Sequence, residues 1–275
     1  MRPVSYPYMG IPLATGLRTV KTNYLFSCSE TIPEGMGFSL FSPGHLLWLF
    51  GIAVFCARMC VLYRDSSKRQ RLKIRRILSA LLIADELLKI GVLSFTGCYT
   101  AEYLPLHVCS INIFICLWYT LRPNVVAAEI LYALSVPGAI VSLCVPTWVK
   151  LPFLNLMSIH SFTVHGLLLL YPLLLLAAGE HRPSLRRLWI PALFVGLLSP
   201  FLYWFNRRFD TNFMFLNGTE DNIVLETVQR VMGKPYYILG LGILVFLIWM
   251  LFYLPWEAQT PRRRRRKTTE FKGIL

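Results

Sequence analysis

Apolar residues fall into helix-length runs separated by short polar or charged segments, and this alternation predicts an all-α, polytopic membrane protein, a bundle of about seven transmembrane helices. The runs cover about Gly44 to Tyr63, Ile77 to Thr96, Leu104 to Leu121 and Val125 to Val145. The fifth is MSIHSFTVHGLLLLYPLLLLAA, in which Pro172 predicts a kink; Leu188 to Phe205 and Tyr236 to Leu254 complete the set. Residues 1–43 read as a polar leader, 44–256 as the membrane domain and 257–275 as a basic tail.

Charge then orients the bundle. The dense basic clusters are Arg64 to Arg76, Glu180 to Arg187 and Pro261 to Leu275, and seven spans put all three on one side. By the positive-inside rule that side is cytoplasmic, leaving the N-terminus outside. Hydrophobic residues make up 55% of the chain and charged ones 15%, so the net charge of +14 reads as topology and not as a nucleic-acid surface. The expected partners are membrane phospholipids, with anionic lipid as a contact for Arg262, Arg263, Arg264, Arg265, Arg266 and Lys267. The location is an integral membrane one, the plasma membrane if the cell is bacterial.

Seven cysteines, with no CxxC pair and no metal-type spacing, imply neither a metal nor a cofactor. Cys28 and Cys98 fall outside the apolar runs and are the two available for an outer disulfide, a pairing the sequence leaves open. Asn217-Gly218-Thr219 matches a glycosylation sequon in the long outer segment, Asn206 to Lys234.

Polar groups inside the apolar runs are costly and mark function. Counting at 1.5 Å per residue from the cytoplasmic ends puts Lys89, Cys109, His107 and His165 at heights of roughly 20 to 22 Å, with Asp85 and Glu86 deeper, at roughly 13 to 15 Å. Asp85 and Lys89 are four apart and are expected to pair. A thiol and an imidazole at one depth are the parts of a Cys/His nucleophilic site: Cys109 as nucleophile, His165 as base and His107 as the alternative base. Asn112 is placed to polarise an ester carbonyl, and Lys89 to meet a phosphate. Asp210 and Asn212, in FDTNFMFLNG, would order an outer lid. The competing reading takes Asp85, Glu86 and Lys89 as the path of a small-molecule or ion transporter. A receptor-like layout is also consistent with seven spans, but helix 3 ends in YTLRP and helix 7 lacks NPxxY.

At LPLHVCSINIF the sequence resembles the YwaF family of integral membrane proteins, related to the transmembrane protein 164 family. The similarity continues in FSPGHLLWL, VHGLLLLYPLLLL, FDTNFMFLNG and KPYYILGLGILVFLIWMLFYLPW. The resemblance implies a multi-helix membrane bundle and, through its eukaryotic branch, a lipid acyltransferase using a membrane-embedded Cys and His. The family histidines fall on His107 and His165. The branch's nucleophilic cysteine directly precedes the helix 3 histidine, a position occupied here by Leu106; Cys109 lies three residues further on.

Overall fold

The computed structural model describes residues 24–28, 31–220 and 222–272, and among them every regular element is helical. Six helical segments are long and apolar enough to cross a membrane. They contain α1 (Pro43–Asp65), α3 (Val108–Leu121), the pair α4 (Val125–Ile130) and α5 (Val136–Cys144), α6 (Leu156–Ala177), α7 (Trp189–Phe209) and α9 (Tyr237–Lys272). The remaining long helix, α2 (Lys68–Phe95), is too rich in charge to qualify by composition, yet it packs against α3 and α6 inside the bundle. Its start is a capping box in which Ser67 Oγ accepts from Gln70 N–H and Gln70 Oε1 accepts from Ser67 N–H.

Three boundaries differ from those the hydropathy predicts. First, α3 begins at Val108 and not near Leu104, because Leu104 precedes Pro105 and takes an extended conformation, φ −56° and ψ 145°. Second, α4 and α5 are joined by a π-helical turn, Leu131–Ser135, followed at once by Pro137. Pro137 has no N–H for the carbonyl of Ala133, and Trp249 of α9 supplies one instead, donating from Nε1 at 2.9 Å. Third, the outer polar segment contains a further helix, α8 (Ile223–Met232), whose Asn222 cap accepts from Val224 and Leu225 N–H. It packs on Gly240 of α9, where a Cβ would stand only 2.7 Å from the Val228 and Met232 side chains. α9 continues past the apolar window through the basic run; the side chains of Arg262 to Lys267 lie outside the described residues, as does the leader up to residue 23.

The two ends of the bundle are built differently. At one end a disulfide joins Cys28 to Cys98, with Cα atoms 5.7 Å apart. Nearby, His45 of α1 is fully buried, donating from Nε2 to Leu143 O at 2.8 Å and accepting Phe41 N–H at Nδ1, so α1 is tied to the end of α5. Asn155, the cap of α6, donates to Tyr24 O and Ser27 O. The opposite end is an arginine end. Glu180 accepts from Arg75 at 2.5 Å, from Tyr63 at 2.9 Å and from Arg71 at 3.4 Å, joining α1, α2 and the loop after α6. Buried Glu129 of α4 accepts from Arg187 at 2.8 Å, and Glu257 of α9 accepts from Ser184 Oγ and Leu185 N–H. Between the ends, Ser79, Thr120 and Tyr171 form a hydroxyl chain that closes on Cys116 O and links α2, α3 and α6.

The disulfide is read by counting thiols. Protein denatured without reductant should take up five maleimides, one for each free cysteine, and reduced protein seven. Seven in both samples would remove the link. A pH effect arises at the arginine end, in the loop outside the spans. Burial, and then the charge of Arg187, push His181 down from 6.5 to about 4. The folded state therefore holds His181 neutral where the unfolded chain protonates it. Its contribution is complete above pH 6.5 and falls away toward pH 4, with a slope of about 1.4 kcal/mol per pH unit. Thermal melts from pH 7 to pH 4.5 should show this decline, flattened in His181→Gln; an unchanged slope in the variant would remove the assignment.

Candidate functional site

The helix break at Leu104-Pro105 shapes the site. With α3 starting at Val108, His107 becomes its N-cap residue, without a side-chain cap bond, and Cys109 falls in the first turn. The early N–H groups of a helix have no intrahelical partner. Cys109 and Ser110 each carry one of these N–H groups, and Lys89 and Glu86 lie close enough for their charges to act on the Cys109 sulfur. Cys109 is partly buried and packs against the main apolar core.

On α2, Lys89 donates to Glu86 Oε1 at 2.6 Å, three residues away. Asp85 instead meets His160 of α6, with Oδ2 and Nδ1 2.7 Å apart. The expected Asp85–Lys89 pair is therefore replaced by two others, because α6 offers Asp85 an imidazole. The Lys89 charge also acts on His107, and His107 and His165 act on each other electrostatically. Lys89, His107, Cys109 and His165 are thus near enough to one another for their charges to interact.

His165 is held on both sides. Its Nδ1 lies 2.7 Å from Ser161 O, and a carbonyl accepts only, so Nδ1 carries the proton and Nε2 keeps a free lone pair. Trp148, from the loop between α5 and α6, stacks on the ring with centroids 5.3 Å apart. His107 meets Phe213 edge-on at 4.9 Å and Phe215 at 6.0 Å. Asn112, one turn below Cys109, is 1% exposed, and its side-chain amide makes no hydrogen bond among the described residues. No hydrogen bond among those residues joins Cys109 to either histidine.

The segment over His107 is a strained loop. Four of the five non-glycine residues with positive φ among the described residues lie in it: Asp210, Met214, Phe215 and Glu220. Asn206 holds it, a residue the sequence reading passed over because it stands beside Arg207 and Arg208 and reads as the polar edge of α7. Asn206 is fully buried, donates to Phe213 O at 2.9 Å and accepts from Thr211 Oγ1 at 3.0 Å and Phe213 N–H at 2.9 Å. Asn212 closes the distal turn, donating to Gly218 O and Glu220 Oε1 and accepting Asn217 N–H. Asp210 gives the left-handed residue that ends α7, and its side chain is exposed. Leu104, Leu106 and Phe213 pack in one small core with Leu202, so Leu106 is a wall residue beneath the loop.

The profile of the TMEM164 family matches residues 40–253, a span that contains every one of these groups. The chain belongs to the TMEM164 family. No curated protein and no solved structure matches it. The match covers this TMEM164-family bundle from just before α1 to near the apolar end of α9, with the basic run beyond it. It carries that name and not the YwaF one.

Asn206→Ala tests what holds the loop. It removes three hydrogen bonds and leaves the Phe213 amide and carbonyl buried, a loss of about 2 to 3 kcal/mol. Limited proteolysis should then cut within residues 210–220 while the helices stay protected. An equally resistant loop would show that Asn206 does not hold it.

Proposed function

We propose that this protein is a lipid acyltransferase or acyl hydrolase in which Cys109 is the nucleophile and His165 the base. The observation that carries the reading is the place of Cys109 in the first turn of α3, where backbone N–H groups have no helical partner, in the region that also holds His165 with its Nε2 free. Family membership supports a membrane protein of this type.

In the proposed reaction the Cys109 sulfur attacks the carbonyl carbon of a phospholipid ester as His165 Nε2 takes the thiol proton. The carbonyl oxygen becomes an oxyanion, and the first-turn N–H groups of α3 with the Asn112 amide are its donors. The C–O bond to the glycerol then breaks and the alkoxide takes the proton from His165, leaving a lysolipid and an acyl thioester on Cys109. An acceptor hydroxyl, of a second lysolipid or of water, returns a proton to His165 as it attacks the thioester, and the thiol is restored. Lys89, held by Glu86, faces the lipid phosphate. His107 is the alternative base, and Asn212, with Asp210, belongs to the lid over it. The Cys28–Cys98 end faces the oxidising side of the membrane and the arginine end the cytoplasm, the arrangement of seven spans in a plasma membrane if the cell is bacterial.

Acyl transfer from a chain-labelled phospholipid to a lysolipid in proteoliposomes tests this. Wild type should label both acceptor and protein, the protein label being released by hydroxylamine. Cys109→Ala should lose both labels, and His165→Ala should slow transfer by 10²-fold or more. Transfer that survives Cys109→Ala in folded protein would sink the reading. Loss in His107→Ala but not in His165→Ala would move the base to His107.

A further inference from the structure

A groove of about 550 Å³ lies between α1 and α6, away from the α2–α3 side of the bundle. Its walls are Trp48, Gly51, Ile52 and Phe55 of α1 with Phe162 and Gly166 of α6. The volume falls in the range of about 300 to 1,000 Å³ typical of ligand sites, and the lining is almost wholly apolar. Two features make it a shaped site and not a chance gap. Gly51 leaves the floor open, since a Cβ there would meet nothing within 4 Å. Trp48 stacks on the buried Phe162, with rings parallel within 7° and centroids 4.9 Å apart, which fixes the Trp48 side of the groove.

Both helices are membrane-spanning candidates, and α1 turns most of its surface outward, so what borders the groove is lipid hydrocarbon. From Gly44 to Phe55 the groove follows α1 for roughly 17 Å, starting at the disulfide end. An extended, narrow, apolar slot along the membrane normal fits one hydrocarbon chain. Two packed rings separate it from His165: Phe162 meets Trp148 edge-on at 5.5 Å, and Trp148 stacks on His165.

We propose that the α1–α6 groove binds one acyl chain of a membrane glycerolipid, with Phe162 and Trp148 standing between that chain and His165. As a lipid site the groove stands by itself; as a substrate subsite it rests on the acyl-transfer reading.

The test uses full-length protein in liposomes of phosphatidylcholine doped with a phosphatidylcholine carrying a diazirine midway along one chain. After irradiation, peptide mapping should find the label concentrated on Trp48, Phe55 and Phe153, several-fold above Leu251, an exposed position on α9. Gly51→Leu fills the slot with a better helix former, so the fold should hold while groove labelling drops several-fold and Leu251 labelling stays. Cys109→Ala should keep the groove label, which separates this proposal from the mechanism: loss of transfer with retained label leaves the lipid site intact. Labelling at the groove no higher than at Leu251, or unchanged in Gly51→Leu, would overturn the proposal. So would cross-linking of the groove to a second copy of the chain in place of lipid.

Discussion

Within a bilayer an unpaired backbone N–H or C=O has no water to turn to, and each costs several kcal/mol. The arrangement around Cys109 depends on how the bundle meets that constraint at the start of α3. Pro105 forces α3 to begin late, so its free N–H groups lie at depth instead of at the membrane surface. Such groups are tolerated only inside protein, and here they are roofed by the Phe213 loop and by Leu104 and Leu106. The Ala133 carbonyl freed by Pro137 is treated the same way, with an indole from α9 in place of a helical amide. One constraint thus explains both why the outer loop is strained over His107 and why Trp249 is buried.

The membrane class and the course of most helices were legible in the sequence because hydropathy is a strong, local signal over about 20 residues. That Lys89, His107, Cys109 and His165 come near one another was also open to reading, since rise per residue is fixed. What was not legible depended on partners brought from elsewhere in the chain. Asp85 and Lys89 have the right spacing to pair, but only the packing of α6 against α2 shows that His160 takes Asp85. Asn206 looks like the solvated end of a helix until Phe213 folds back onto it. The Leu104-Pro105 dipeptide was a signal present and passed over: it reads as a break, and the apolar run around it masked it. α8 was hidden by the mixed charge of its flanks, although Asn222 followed by IVLETVQRVM has the cap and spacing of an amphipathic helix.

The charges on α2 bear on the choice between catalysis and transport. A conducting path needs ionisable groups that can exchange partners along the membrane normal. Here Glu86 is joined to Lys89 within its own helix and Asp85 to His160, both pairs largely buried. Those contacts fix the charges in place, and fixed charges suit orienting a headgroup better than passing an ion. Lys89 keeps the geometry of a docking point, because its partner is three residues away on the same helix and does not tie it to the opposite wall.

The two histidines differ in how they are held, and that difference divides their roles. His165 has its tautomer set by Ser161 O and its plane set by Trp148, neither of which belongs to the strained loop. In the proposed cycle the base takes up and gives back a proton in each of two steps, and that fixity suits it. His107 is packed only against Phe213 and Phe215, on a loop where Met214 and Phe215 both carry positive φ. Any opening of residues 210–220 therefore uncovers His107 and the first turn of α3 while leaving His165 in place. Under the acyl-transfer proposal the loop would control access of lipid to the sulfur, with His165 held on α6 by contacts that the loop does not supply.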